Sequence, residues 1–324
     1  MGSSEAPAVV ASDPVLVVGE ALIDVVERAG SPTVEHVGGS PANVALGLGR
    51  LGLKTRLRTA LAHDPRGERI AAHLVSSGVE VDPASWCLSA TSTAAARIGH
   101  GGAATYLFDI DWRLDDAVRL GTARVVHVGS VGCFLQPGAG QLIAWLETLP
   151  PPVRVSFDPN IRPALLGERS EIVAAVERIV RVADTVKLSD EDARWLYPGF
   201  GPDDVLDRII ALGARVACVT HGGEGAVIAS AEARTTIKPQ VVRTKDTIGA
   251  GDTFQAVLVA ALAECTLTTE LDALREIGER ASVAASITVG RAGADLPTRA
   301  ELCRAMARHK IEDSWRARSS TYLC

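Results

Sequence analysis

The chain has no excess of positive charge: 33 Lys and Arg face 39 Asp and Glu, a formal net charge of −6. Without a basic field to neutralise phosphates, no nucleic-acid partner is expected. Long apolar runs are also missing. Stretches such as "VLVVGEALIDVV" are too short, or too interrupted by acids, to span a bilayer, so no membrane partner is expected. The N-terminus "MGSSEAPAVVASDP" has no basic flank leading into an apolar stretch, and no secretory leader is read there. The six cysteines, Cys87, Cys133, Cys218, Cys265, Cys303 and Cys324, form no CxxC pair, and no two of the seven histidines have the i, i+4 spacing of a metal-binding helix. These absences argue against a disulfide framework or a zinc site, and for reduced thiols in a cytoplasmic protein. A P-loop is missing too, so any ATP chemistry needs another phosphate cradle.

What is present is a composition ordinary for a globular protein, 47% hydrophobic and 22% charged. Length alone accommodates about two domains. The segments 15–26, 124–128, 153–158, 184–188 and 215–220 are short, β-branched and almost continuously apolar. That pattern suits strands buried on both faces of a parallel sheet. Helical patterns fall between and after them, at 41–52, 66–77, 138–148, 170–183, 190–197, 203–212, 251–264, 270–290 and 298–309. The alternation predicts an α/β fold with a doubly wound, mostly parallel sheet. One region breaks the rhythm: "TSTAAARIGHGGAATYLFDIDW" (91–112) reads as two extended segments about the turn "GHGG". With residues near 25–37 it is expected to form a small β-flap, a lid rather than a second domain.

The chemistry concentrates in a few stretches. "RTKDTIGAGDTFQAVLVAALAE" (243–264) sets Asp246 and Asp252 around the small residues Gly249, Ala250 and Gly251, at the threshold of an apolar helix. Bare backbone N–H groups at a helix N-terminus favour an anion, and a carboxylate beside them suits a site where a phosphate meets a hydroxyl. "GEALID" (19–24) ends a strand in Asp24, at the end of a parallel strand where open sheets bind ligands. "VGGSPANVALGLGRLG" (37–52) brings a Gly pair and Asn43 to the start of a helix. Its "GLGRLG" matches the dinucleotide pattern in letters only, because a helix rather than a strand precedes it. "FDPNIRPALL" (157–166) offers Arg162, whose planar fork suits phosphate oxygens. "VKLSDEDARWL" (186–196) puts Asp190, Glu191 and Asp192 at a helix start, where dipole compensation is as good a reading as magnesium. "VTHGGEGAVI" (219–228) reads as strand, Gly-rich turn and strand.

In this order, and from about Val15 to Leu302, these segments resemble the ribokinase-type (PfkB) family of ATP-dependent sugar kinases, carried mainly by "DTIGAGDTF" and "GGSPANVALGLGRLG". The resemblance implies one ribokinase-like kinase domain over 15–307, after an extension at 1–14 and before a tail at 308–324 of no assigned role. It implies Asp252 as catalytic base, the backbone of Gly249, Ala250 and Gly251 as anion hole, and Arg162 as a phosphate contact. Asp24, Gly39 and Asn43 fall at the sugar-binding positions, and Lys187, Ser189, Thr220, Gly222 and Gly225 where the family contacts ATP. The family's Asn-x-x-Glu magnesium motif falls at Ser189 and Asp192, which leaves Mg2+ held at Asp192 through water. Asp246 and the Ile248 carbonyl lie where many members bind K+. The expected substrate is D-fructose, since "ATYLFDIDWRL" (104–114), "GEALID" and "FDPNIRP" look most like the fructokinase branch. The acidic tract at Asp109 and Asp111 also suits a neutral sugar. 2-Keto-3-deoxygluconate and ribose are the alternatives within the family, and a non-catalytic sugar or nucleotide sensor is the alternative outside catalysis. A homodimer through the β-flap is the partner implied.

Overall fold

The computed structural model describes residues 13–28, 30–98 and 104–320. In chain order its strands are β1 (Val15–Val18), β2 (Leu22–Arg28), β3 (Val34–Gly38), β4 (Thr55–Arg58), β5 (Leu61–Ala62), β6 (Val79–Val81), β7 (Trp86–Leu88), β8 (Thr93–Ile98), β9 (Ala104–Asp109), β10 (Val125–Gly129), β11 (Arg154–Asp158), β12 (Thr185–Ser189), β13 (Val216–Thr220), β14 (Ala226–Ala229) and β15 (Arg234–Ile237). The helices are α1 (Ser40–Arg50), α2 (Pro65–Val75), α3 (Gly138–Leu146), α4 (Arg169–Val180), α5 (Asp190–Leu196), α6 (Pro202–Leu212), α7 (Ala250–Ala263), α8 (Leu271–Val289) and α9 (Arg299–Ser320).

Nine strands form the central sheet in the order β15-β14-β13-β12-β11-β10-β1-β4-β6. The seven from β13 to β6 are parallel, and β14 and β15 add antiparallel at one edge. Apolar β-branched residues dominate β1 and β10 because both faces are covered. Val15 and Val17 pack toward α1, α7 and α8, while Leu16 and Val18 pack into the cluster with α3 and α4. The chain runs outward from β1 through β4 to β6, then resumes on the other side of β1 at β10. The order therefore reverses between β1 and β10, which opens a crevice beyond their carboxyl ends.

The apolar run 15–26 is not one strand. After β1 the backbone turns out of the central sheet at Gly19–Ala21, and β2 continues in a separate four-stranded sheet ordered β3-β2-β8-β9. The turn packs closely on α1, since a Cβ at Gly19 would collide with the Pro41 ring. The flap segments pair as β2 with β3 antiparallel, β2 with β8 parallel and β8 with β9 antiparallel. The expected "GHGG" turn, residues 99–102, lies outside the described residues, as do 1–12 of the N-terminal extension. At the other end, α9 runs on to Ser320, past the helix end expected at 309. "GLGRLG" lies in and just after α1, with Gly47 packed against Leu296 and Ala256. No helix among the described residues is long and apolar enough to cross a membrane.

Candidate active site

The site assembles around the first turn of α7. Gly249 precedes the helix at φ 77°, a left-handed conformation open to glycine, and a Cβ there would lie 2.8 Å from the Ala294 Cβ. Ala250 turns its N–H back to the Thr247 carbonyl at 3.3 Å. Among the described residues no acceptor meets the N–H of Gly251 or of Asp252, so these two amides are the open donors of the turn. Space above Gly251 is equally open: among the described residues outside its own helix backbone, the one atom within 4 Å of a Cβ placed there is Lys187 Nζ, at 3.7 Å.

Asp252 stands one residue further along, buried, with each carboxylate oxygen held by α1. Ser40 Oγ donates to Oδ1 at 2.6 Å and Asn43 Nδ2 donates to Oδ2 at 2.8 Å. Burial holds the Asp252 carboxyl above its ordinary range, against the Ser40 and Asn43 hydrogen bonds and the charges of Lys187 and Arg162. Positions 40 and 43 are three apart, so one face of α1 presents both groups.

Asp24 faces the same space from β2. Burial raises its carboxyl, His36 and Arg162 oppose the rise, and the nearby Asp252 charge adds to it. Gly38 leaves room for it, because a Cβ there would fall on the Asp24 carboxylate. Gly39, at φ 98°, lets the chain pass the Glu20 carbonyl, which a Cβ would approach to 2.7 Å. The exposed Arg162 is anchored to the Ile161 carbonyl at 3.1 Å, and its charge is felt at Asp24, Asp252 and Glu20 alike. Glu20 sits at the crevice between β1 and β10, 4% exposed, and accepts the Gly132 N–H at 2.9 Å. Burial pushes its carboxyl up to about 7, against hydrogen bonds from Ser130 and from backbone N–H groups.

Beneath the open amides lies a buried ion pair, Lys187 Nζ to Asp158 Oδ2 at 2.9 Å, with side chains 4% and 2% exposed. Burial pushes the Asp158 carboxyl up to about 6 against the pull of Lys187. Burial also works against the Lys187 ammonium, yet Asp158 outweighs it and holds the lysine above its ordinary value. Lys187 is therefore a cation fixed below the turn, not a free side chain. Asp192 is equally committed. It closes a capping box on α5, accepting Ser189 N–H at 2.9 Å and Ser189 Oγ at 2.7 Å on one oxygen and the Ile161 N–H at 2.7 Å on the other. Among the described residues no group of three or more His, Cys, Asp or Glu could cage a metal. The donor set thus fits a magnesium ion carried mainly by nucleotide phosphates rather than by a protein cage.

Gly222 and Gly223 present bare backbone to open space at the end of β13, beside Thr220, whose hydroxyl donates to the Leu188 carbonyl. Gly225 is explained by packing, because a Cβ would strike the Ile237 carbonyl. Asp246 accepts the Ile248 N–H at 3.0 Å and the Gly293 N–H at 2.8 Å, and these bonds draw its carboxyl below the usual range. Its carboxylate fixes the loop that leads into α7. The Asp111 carboxylate is clasped by the Arg113 guanidinium, so its charge is already paired.

The structure thus brings Asp24, Gly39, Asn43, Arg162, Lys187, Gly251 and Asp252 to one crevice, with Thr220, Gly222 and Asp192 along its β12–β13 side. Sequence reasoning missed Ser40, Asp158 and Glu20. Ser40 could have been found three residues before Asn43, and Asp158 within "FDPNIRP". A separate groove of about 720 Å³ lies at the far end of α1, where its Arg50 and Arg291 are already paired with Asp295 and Glu301.

Comparison with known proteins agrees with this geometry. The family model for pfkB family carbohydrate kinases matches residues 12–301. A fructokinase of Rhizobium leguminosarum bv. trifolii is 30% identical over 267 residues, covering 79% of this chain and 82% of the relative. A fructokinase of Salmonella typhimurium is 30% identical over 274 residues, covering 80% and 88%. Among solved structures, a double mutant of the Vibrio cholerae O395 fructokinase, bound to fructose, ADP and potassium ion, superposes with a TM-score of 0.77 at 25% identity, covering 91% of this chain and 98% of that one. With the family model spanning residues 12–301, this protein belongs to the pfkB family of carbohydrate kinases.

Proposed function

We propose that the protein transfers the γ-phosphoryl group of ATP to D-fructose, giving ADP and fructose 6-phosphate. The observation that carries the reading is Asp252, buried beside two open backbone amides and facing the space shared by Asp24, Asn43 and Arg162. Asp252 accepts the proton of the attacking hydroxyl as its oxygen bonds to the γ-phosphorus and the bond to ADP breaks. The Gly251 and Asp252 N–H groups, with the Gly249 turn and Ala250 behind them, hold the equatorial phosphoryl oxygens, and Lys187 beneath adds fixed positive charge. Arg162 contacts the phosphoryl group from the β11 side. Asp24, Gly39 and Asn43 orient the sugar hydroxyls.

The adenosine phosphates lie along Ser189, Thr220, Gly222 and Gly225, where the bare Gly222–Gly223 backbone is open. Asp192 would meet a magnesium ion bound with ATP through water, and the ion would neutralise charge on the phosphate oxygens. The Asp246 loop and the Ile248 carbonyl form the K+ position, a reading supported by the potassium ion in the Vibrio cholerae enzyme. Fructose is supported by the names of the relatives and by the sugar in that structure. A cytoplasmic location is supported by the free cysteines, and the flap strands suit a homodimer.

The test is ADP release from the purified protein with Mg-ATP and a panel of sugars, with Asp252→Asn alongside. Fructose should give the highest kcat/KM, and the variant should keep its ATP affinity while kcat falls about 10²–10⁴-fold, the loss expected for a positioned base. Unchanged turnover in Asp252→Asn would remove the base assignment. Preference for a keto-deoxy acid or a pentose would keep the mechanism and replace the substrate.

A further inference from the structure

A polar row crosses the central sheet directly below the site. His127 on β10 is in register with Ser156 on β11, and Ser156 with Thr185 on β12. All three are 0–1% exposed, on the face covered by α7. Two residues further along their strands lie Asp158 and Lys187, the buried pair under the open amides. Opposite the row, α7 contributes Gln255, wholly buried and one turn after Asp252. Its Nε2 donates to Ser156 Oγ at 2.6 Å and lies 3.5 Å from His127 Nδ1, while His127 Nδ1 and Ser156 Oγ are 3.3 Å apart.

Asp252 is tied to α1 through Ser40 and Asn43, and Thr253 to Thr288 on α8. Among the described residues no side chain in the first half of α7 other than Gln255 hydrogen-bonds to the sheet, and apolar contact alone fixes neither the height nor the rotation of a helix to a fraction of an ångström. A buried hydrogen bond does, because breaking it strands a desolvated donor. Ser156 can donate or accept, so the bond survives either orientation of the Gln255 amide. Among the described residues His127 Nε2 and Gln255 Oε1 meet no protein partner, so every side-chain hydrogen bond that Gln255 makes goes down to this row. Burial, reinforced by the Lys187 charge, holds His127 down to about 3, so the row is uncharged throughout the working pH range.

We infer that Gln255 is a positioning residue for phosphoryl transfer. Through Ser156 and His127 it sets the seat of the first turn of α7 on the sheet, and with it the distance from Asp252 and the two open amides to the reacting atoms. The inference rests on Asp252 as the base. It also predicts which kinetic parameter moves. Misplacing the turn by about an ångström leaves the sugar contact of Asp24 and the nucleotide contacts at Gly222 where they are, but strains the bonds of Asp252 to Ser40 and Asn43 and spoils the geometry of transfer.

The experiment measures kcat and both KM values for Gln255→Leu, Ser156→Ala and the double variant, with active sites counted by ATP binding. Each single variant should lose about tenfold to a hundredfold in kcat per binding site, with both KM values within about threefold of the wild type. The double variant should be no slower than the slower single one, because both changes cut the same link. A purely structural role would lower the melting temperature and the number of binding sites while leaving kcat per site intact, and that result would overturn the inference. Should Gln255→Leu fail to fold, Ser156→Ala, which deletes a single hydroxyl, decides by the same criterion. Asp252→Asn separates the two readings: inert Asp252→Asn with fully active Gln255→Leu defeats the positioning role alone, whereas fully active Asp252→Asn defeats the base.

Discussion

Glu20 offers a prediction whose size follows from the fold. Its carboxyl is raised from 4.5 to about 7, chiefly by burial at the crevice between β1 and β10. Below pH 4.5 the folded and unfolded chains both hold the proton, and the group leaves stability unchanged. Between 4.5 and 7 the folded form keeps a proton that the unfolded form has lost, so stability falls as pH rises. Above 7 both are ionised and the full burial penalty applies, about 3 kcal/mol for a shift of this size. Glu20→Gln keeps an acceptor for the Gly132 N–H and gains a donor for Ser130, but carries no titration. The stability difference between variant and wild type should therefore grow by up to about 3 kcal/mol between pH 4.5 and pH 8, in favour of the variant. For a chain of 324 residues, an unfolding entropy of about 0.7 kcal/mol/K makes this about 4–5 °C in Tm. Thermal and urea unfolding of both proteins across that range measure it directly. Asp158 and every other group titrate in both proteins, so the difference curve isolates Glu20. Parallel curves would refute the assignment.

Two further outcomes follow from the geometry. Lys187→Met should destabilise the fold by about 3–5 kcal/mol in urea titrations, because it strands Asp158 in the interior without its cation; a loss under about 1 kcal/mol would show that the pair is not a buried charge pair in solution. The proposed flap dimer should be visible by light scattering at assay concentration and should weaken in Leu107→Lys, since Leu107 on β9 and Val34 on β3 are each 47% exposed on the flap. A monomeric wild type would remove the dimer.

The parallel sheet was legible because strands covered on both faces are mostly apolar, as in "RVVHV" and "RVACVT". The same property misled at 15–26, where the apolar run continues across the turn at Gly19–Ala21 from one sheet into another. Periodicity cannot register a change of sheet. At the site, Asp252 and its glycines were legible because their functional features are local: small residues, a helix start, a carboxylate. Glu20 was not, since its environment comes from Gly132, 112 positions away. Gln255 was hidden for a similar reason. Within "DTFQAVLVAALA" it reads as one polar residue on an apolar helix, and only the register of β10 against β11 supplies its partners.

The separation of the two sheets has a consequence for how such an enzyme can diversify. The flap shares no strand with the central sheet, and Asp24, Gly39 and Asn43 all fall within one short stretch that enters and leaves it. The proposed phosphate machinery comes from elsewhere, from the ends of β11, β12 and β13 and the first turn of α7. On the proposed reading, the acceptor contacts are thus confined to residues 24–43 and the flap they border, while the phosphate contacts are encoded downstream. The flap and its borders can, on that reading, be redrawn for a new sugar while the proposed phosphate contacts keep their places.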